Sequence, residues 1–84
     1  MYWMLLFAAA IGSPTDQFEQ KLAVGPFPTE TSCAAAAALG IDRLNGLHPD
    51  QDFRAACSPK KLRRPGDKLY TLQELAELAT RTPP

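Results

Sequence analysis

The residues with the widest chemical repertoire in this sequence are few: one histidine, His48, and two cysteines, Cys33 and Cys57. A serine or cysteine nucleophile needs a base within hydrogen-bond reach, so any such set would have to be built around His48. Pro49 follows it in a stretch that reads as an exposed loop, a setting in which a histidine is ordinarily a solvated side chain. His48, Cys33 and Cys57 are three scattered zinc ligands of the favoured types, without the Cys-x-x-Cys pair of a structural zinc site. Asp50 and Asp52 read as solvated loop carboxylates, and no Gly-x-Gly-x-x-Gly or Walker sequence offers a phosphate cradle. The expectation is a protein that is not an enzyme, takes no cofactor or metal, and works by contact.

Two sets of residues are candidates for that contact. Lys60, Lys61, Arg63 and Arg64 put four cations within five residues, a run that serves as a solvated linker, a grip on an acidic protein surface, or a grip on phosphate. Nine Lys and Arg balance nine Asp and Glu over the whole chain, so no global field steers it to nucleic acid or to an anionic membrane. Tyr70, Leu72 and Leu75 form the second set, either as anchors for an apolar groove or as core of the chain's own fold. The segment Tyr70 to Ala79 is similar to the opening helix of helix-turn-helix domains. Too few residues follow it before Pro84 for a recognition helix, so another protein is the expected partner and nucleic acid is not.

The cysteines have two readings: small buried apolar side chains, or one disulfide. Oxidised, they would close a loop of about 24 residues, worth roughly 3 kcal/mol in the chain-entropy model. That is large for a chain of 84 residues, which holds one domain at most and buries only a modest core. Hydrophobic residues at 45% and charged residues at 21% are ordinary globular values, which speaks against wholesale disorder.

The elements that must position these residues begin with a fork. Met1 to Ile11 is entirely apolar, too short to span a bilayer, and bounded by Gly12-Ser13-Pro14. Its aromatic Tyr2, Trp3 and Phe7 favour a buried strand. Ala8 to Ala10 offer the small residues of a signal-peptide cleavage site, although no Lys or Arg precedes Lys21, and a membrane role rests on that second reading alone. Phe18, Leu22 and Val24 alternate as the buried face of a strand from about Asp16 to Val24, ended by Gly25-Pro26, with a short helix as the alternative.

Thr29 is an N-cap candidate, with Glu30 favouring the positive helix end. Cys33, Ala36, Ala37, Ile41 and Leu44 then make a helical stripe, which ends at Gly40 or at Gly46. Phe53, Ala55 and Cys57 alternate with Arg54, Ala56 and Ser58 as a third strand, stopped by Pro59. Thr71 and Glu74 stand three apart as a capping box, Tyr70 is placed to staple onto Leu75, and Leu72, Leu75, Ala76 and Ala79 share one face.

The apolar run with Trp3, the block from Phe27 to Cys33 with Ala36-Ala37 behind it, and Cys57-Ser-Pro59 together resemble a loose group of short uncharacterised phage, prophage and bacterial proteins. The likeness covers about residues 1–59. It implies a mobile-element origin and supports the strand-strand-helix-strand reading, and it assigns no role to any residue. The expected architecture is α+β: a small β-β-α-β antiparallel sheet with one packed helix over 1–59, a basic linker over 60–68, and a C-terminal amphipathic helix and tail over 69–84. The expected function is non-catalytic protein binding in the host cytoplasm, with inhibition of a host enzyme or defence complex as one use. Two alternatives stand beside it: an exported (periplasmic or secreted) or membrane-associated small protein held by the Cys33 to Cys57 disulfide, and a virion structural component.

Overall fold

The computed structural model describes residues 1–81; the last three of the 69–84 tail lie outside the described residues. Its elements are strand β1 (Tyr2–Ala10), a single 3-10 turn (Thr15–Gln17), strand β2 (Glu19–Phe27), helix α1 (Glu30–Leu47), strand β3 (Gln51–Ser58) and helix α2 (Leu72–Ala79). The strands form one antiparallel sheet in the order β2-β1-β3. The apolar N-terminal run is therefore the central strand. It has no polar alternation because both of its faces are covered.

Met4, Leu6 and Ala8 enter a core with Cys33, Ala34, Ala37 and Ile41 of α1, Phe53 and Ala55 of β3, and Leu75 and Leu78 of α2. Leu5 and Phe7 enter a second core on the opposite face with Ala56, Phe18 and Leu69. Among the described residues, Phe18 after the 3-10 turn and Leu69 in the chain beyond β3 pack on that second face, where Ala56 and Ser58, expected to point outward from β3, are buried.

β2 departs most from its sequence reading. The 3-10 turn occupies Thr15–Gln17, so the strand begins at Glu19 and not at Asp16, and it runs through a cis Gly25-Pro26 bond to Phe27. Proline fits because β2 is an edge strand, whose outer side needs no amide donor. Phe18 precedes the strand and packs on the second face. Leu22 and Val24 pair with Leu6 and Met4 on the helix side, yet stay 44% and 42% exposed. They do not form a buried face because α1 lies mainly over β1 and β3. Gly25 carries a φ of +154°, and a Cβ there would meet the Tyr2 carbonyl at 3.0 Å and the Trp3 ring at 3.1 Å. Only glycine lets β2 approach Trp3 this closely.

α1 passes through both Gly40 and Gly46 and stops after Leu47, where the His48 amide still donates to the Leu44 carbonyl (2.8 Å) and Pro49 disfavours a further helical residue. Thr29 is the N-cap, and its box partner is Ser32: the Ser32 amide donates to Thr29 Oγ1 (3.0 Å) and the Thr29 amide to Ser32 Oγ (3.2 Å). The buried stripe includes Ala34, while Ala36 and Leu44 are only half-buried. Thr71 and Glu74 form the second box. On α2, Leu78 is buried and Ala76 exposed, since Ala76 lies about 100° round the helix from Leu75.

Beyond β3 the chain turns back. Tyr70 and Ala55 exchange both backbone bonds, at 2.7 and 3.1 Å, which caps the outer edge of β3. Residues 60–81 thus share the cores of residues 1–59 through Leu69, Leu75 and Leu78.

Candidate functional site

The basic run is built into the second face. Arg64, Pro65, Gly66 and Asp67 make a tight turn closed by the Asp67 amide donating to the Arg64 carbonyl (3.0 Å), with Gly66 at φ +91°. Proline second and a positive-φ glycine third are the requirements of a type II turn. The turn aims the Asp67 carboxylate back at Arg64, whose amide (2.8 Å) and guanidinium (3.1 Å) both donate to it, while Arg63 Nε donates to the Asp67 carbonyl (3.0 Å). Burial pushes the Asp67 carboxyl up, but the Arg64 amide, the Arg64 side chain, the Ser58 hydroxyl and the Arg64 charge outweigh it and hold the group below its usual range. Lys61 Nζ sits 4.5 Å from the centre of the Trp3 ring, and its carbonyl accepts from Gln20 Nε2 at 2.9 Å. All four predicted cations are exposed, and the side chains of Lys61, Arg63 and Arg64 have intramolecular partners.

The apolar candidates divide. Leu75 is fully buried in the core that α2 shares with α1, β1 and β3, so it is core and no surface anchor. Tyr70 and Leu72 are half-buried against the same core. Lys68 Nζ lies 5.2 Å from the Tyr70 ring centre and pairs with Glu74. The hydrogen bond that Lys68 donates to Glu74 raises the pKa of the Lys68 ammonium, and the same bond, followed by that from the Thr71 amide, lowers the pKa of the Glu74 carboxyl.

Cys33 and Cys57 are joined by a disulfide, with Cα atoms 6.1 Å apart, between the first turns of α1 and the end of β3. Both thiols are thereby committed. His48, at the end of α1, is exposed and lies tilted against Phe53 with ring centres 6.3 Å apart. Among the described residues no group of three or more His, Cys, Asp or Glu side chains is placed to hold a metal ion.

Three features escaped the sequence reading. Leu22 and Val24 form an open apolar shelf on the helix side of β2. An open cleft of about 400 Å³ runs beside the disulfide, bordered by Tyr2, Glu30, Cys57, Arg64, Lys68 and Tyr70. On the second face Arg54 lies 4.5 Å over the Phe18 ring and donates to Thr15 Oγ1 (2.9 Å), pinning the 3-10 turn to β3; its buried Nε has no partner among the described residues. Leu22 and Val24 were legible as one face of a strand, but not as an exposed one. The cleft and the Arg54 clamp join residues far apart in sequence and leave no periodic trace.

No helix among the described residues is long and apolar enough to cross a membrane. No protein-family model, curated protein or solved structure matches the chain.

Proposed function

We propose that this chain is a small, non-catalytic protein-binding protein that uses the open side of β2. The observation behind the reading is the contrast within one face of the sheet: Met4 and Leu6 are buried, while their partners Val24 and Leu22 stay over 40% exposed. A solvent-facing continuation of a hydrophobic core is the kind of surface that a partner covers. Lys60, Lys61, Arg63 and Arg64 are the cationic part of the proposed contact surface, with Tyr70 and Leu72 as its half-buried apolar members. The finer description, a β-β-α-β unit with an appended amphipathic helix, belongs to the same proposal. So does a phage or prophage origin, which rests on the resemblance of residues 1–59, and so does inhibition of a host enzyme or defence complex in the host cytoplasm.

The test is affinity capture from a bacterial lysate with the parent chain, with a Leu22→Asp/Val24→Asp variant and with a Lys60→Glu/Arg63→Glu variant. A specific protein retained by the parent and lost by the shelf variant is the expected result. No specific partner, or one held equally by all three chains, overturns it. Truncation after Pro59 is unsuitable, because it removes the buried Leu69, Leu75 and Leu78.

A second reading, an exported disulfide-held protein, draws support from the Cys33–Cys57 bond, since disulfides persist in oxidising compartments. In that reading the apolar run is kept and not cleaved, because it is β1, on which both other strands pair. Finding the full-length chain only in the cytosol with two free thiols sinks it.

A further inference from the structure

The two ends of the disulfide stand in different surroundings. Cys33 is fully buried under α1, among Ala34, Ala37 and the β1 and β3 side chains. Cys57 is half-buried and forms part of the wall of the open cleft of about 400 Å³. The Cys57 end of the disulfide is therefore the one beside solvent, while Cys33 is enclosed by the core. Both signs of charge border the cleft, with Arg64 paired to Asp67, Lys68 paired to Glu74 and Glu30 beside them, and the attacking species is the thiolate of the small thiol.

We propose that Cys57 is a site of S-thiolation: a low-molecular-weight thiol of the glutathione type enters the cleft and exchanges into the disulfide at Cys57 alone. The thiolate sulfur attacks Cys57 Sγ and forms a new S–S bond to it. The Cys33–Cys57 bond breaks, and Cys33 Sγ leaves with the bonding pair and takes up a proton. A second thiol then attacks the adduct sulfur. It releases Cys57 as a thiol and carries both small-molecule sulfurs away as their own disulfide. In total two small thiols are oxidised and one protein disulfide is reduced. The direction of attack follows from burial, because the sulfur reached is the one thiolated and the buried one is the leaving group. The same asymmetry makes Cys57 the thiol that re-forms a mixed disulfide when the reduced chain meets an oxidised small-molecule disulfide.

The experiment uses the intact oxidised chain and reduced glutathione without denaturant. Acid stops the reaction, free thiols are alkylated, and peptides are mapped by mass. Expected is a species carrying glutathione on Cys57 and the alkyl group on Cys33. Glutathione on Cys33, an equal distribution, or no adduct in the absence of denaturant overturns the proposal. A second measurement compares Cys33→Ser, which leaves Cys57 as the single thiol, with Cys57→Ser, both in the folded state by circular dichroism. Exposure governs thiol access, so an aromatic disulfide reagent should react at least roughly tenfold faster with Cys57 in the first variant than with Cys33 in the second. Equal rates in folded proteins count against the assignment. Neither readout depends on a protein partner, so the outcome is independent of the proposed function.

Discussion

The two faces of the sheet are closed by different means. On one, capped α1 lies over β1 and β3, capped α2 packs on α1 and adds Leu75 and Leu78 to the same core, and the disulfide ties α1 to β3. On the other, the cover consists of irregular chain held by single side chains: Phe18 beneath Arg54, Leu69 beside Ala56, and Lys61 over Trp3. The first cover is repetitive and self-supporting through its own backbone bonds. The second depends on a few long-range pins, each of which is a separate place to weaken it. A small domain gains from closing both faces, since apolar area buried on folding is its main source of stability.

The largest effect is expected on the helix face. Leu75→Ala empties a fully buried position on α2 in the helix-side core, and should cost about 3–5 kcal/mol in urea unfolding. The matching change on the other face, Phe18→Ala, removes a ring packed under Arg54 and should cost about 3 kcal/mol. A loss below about 1 kcal/mol for Phe18→Ala would break the comparison, because it would make the irregular cover a loose lid and not a second core.

These two positions also show how far the sequence could be read. Leu75 belongs to a capped helical pattern whose signals, Thr71, Glu74 and the apolar spacing, all lie within a few residues of one another. The same holds for Thr29 and for the stripe from Cys33 to Ile41. Phe18 was legible as apolar but not as a turn residue on the far face, since that depends on Arg54, thirty-six positions further along. The boundaries of β2 failed for a related reason. Gly25-Pro26 ends a central strand but continues an edge strand, and edge position is a property of the whole sheet. Among the site candidates, side-chain type pointed to Lys60, Lys61, Arg63 and Arg64 as cations. It did not reveal that Asp67 and Trp3 engage three of them.

Next in size is the disulfide. Replacing both cysteines with serine releases a loop of 24 residues and should lower stability by roughly 3 kcal/mol, with α1 losing hydrogen-exchange protection before the 3-10 turn does. Equal loss of protection at both places would mean that the two faces unfold as one unit. A smaller loss, about 1 kcal/mol, is expected for Gly66→Ala, which forces a side chain into φ +91°. Its signature is local: the Lys61–Trp3 contact should loosen, with a change in Trp3 fluorescence, while the helix content by circular dichroism stays constant.

The smallest effect tests whether the second face is held by charge. The folded-state pKa of Asp67 lies below that of the unfolded carboxyl, about 3.9. Its contribution is therefore complete above that unfolded value and is lost as pH falls through the lower folded value. On the helix face the nearest charge pair, Lys68 with Glu74, is exposed at the lysine. Urea midpoints of the parent chain and of Asp67→Asn should consequently differ at pH 7 and converge toward pH 3, as the parent loses the Arg64 and Ser58 interactions that the variant never had in charged form. High salt should leave most of the pH 7 difference intact, because the Asp67 side chain is only 11% exposed and accepts directly from the Arg64 amide. A difference that persists unchanged to pH 3 would show that Asp67 acts through the shape of the turn alone. The irregular face would then be held by the Pro65-Gly66 geometry and the two cation-ring contacts, with no share from the carboxylate.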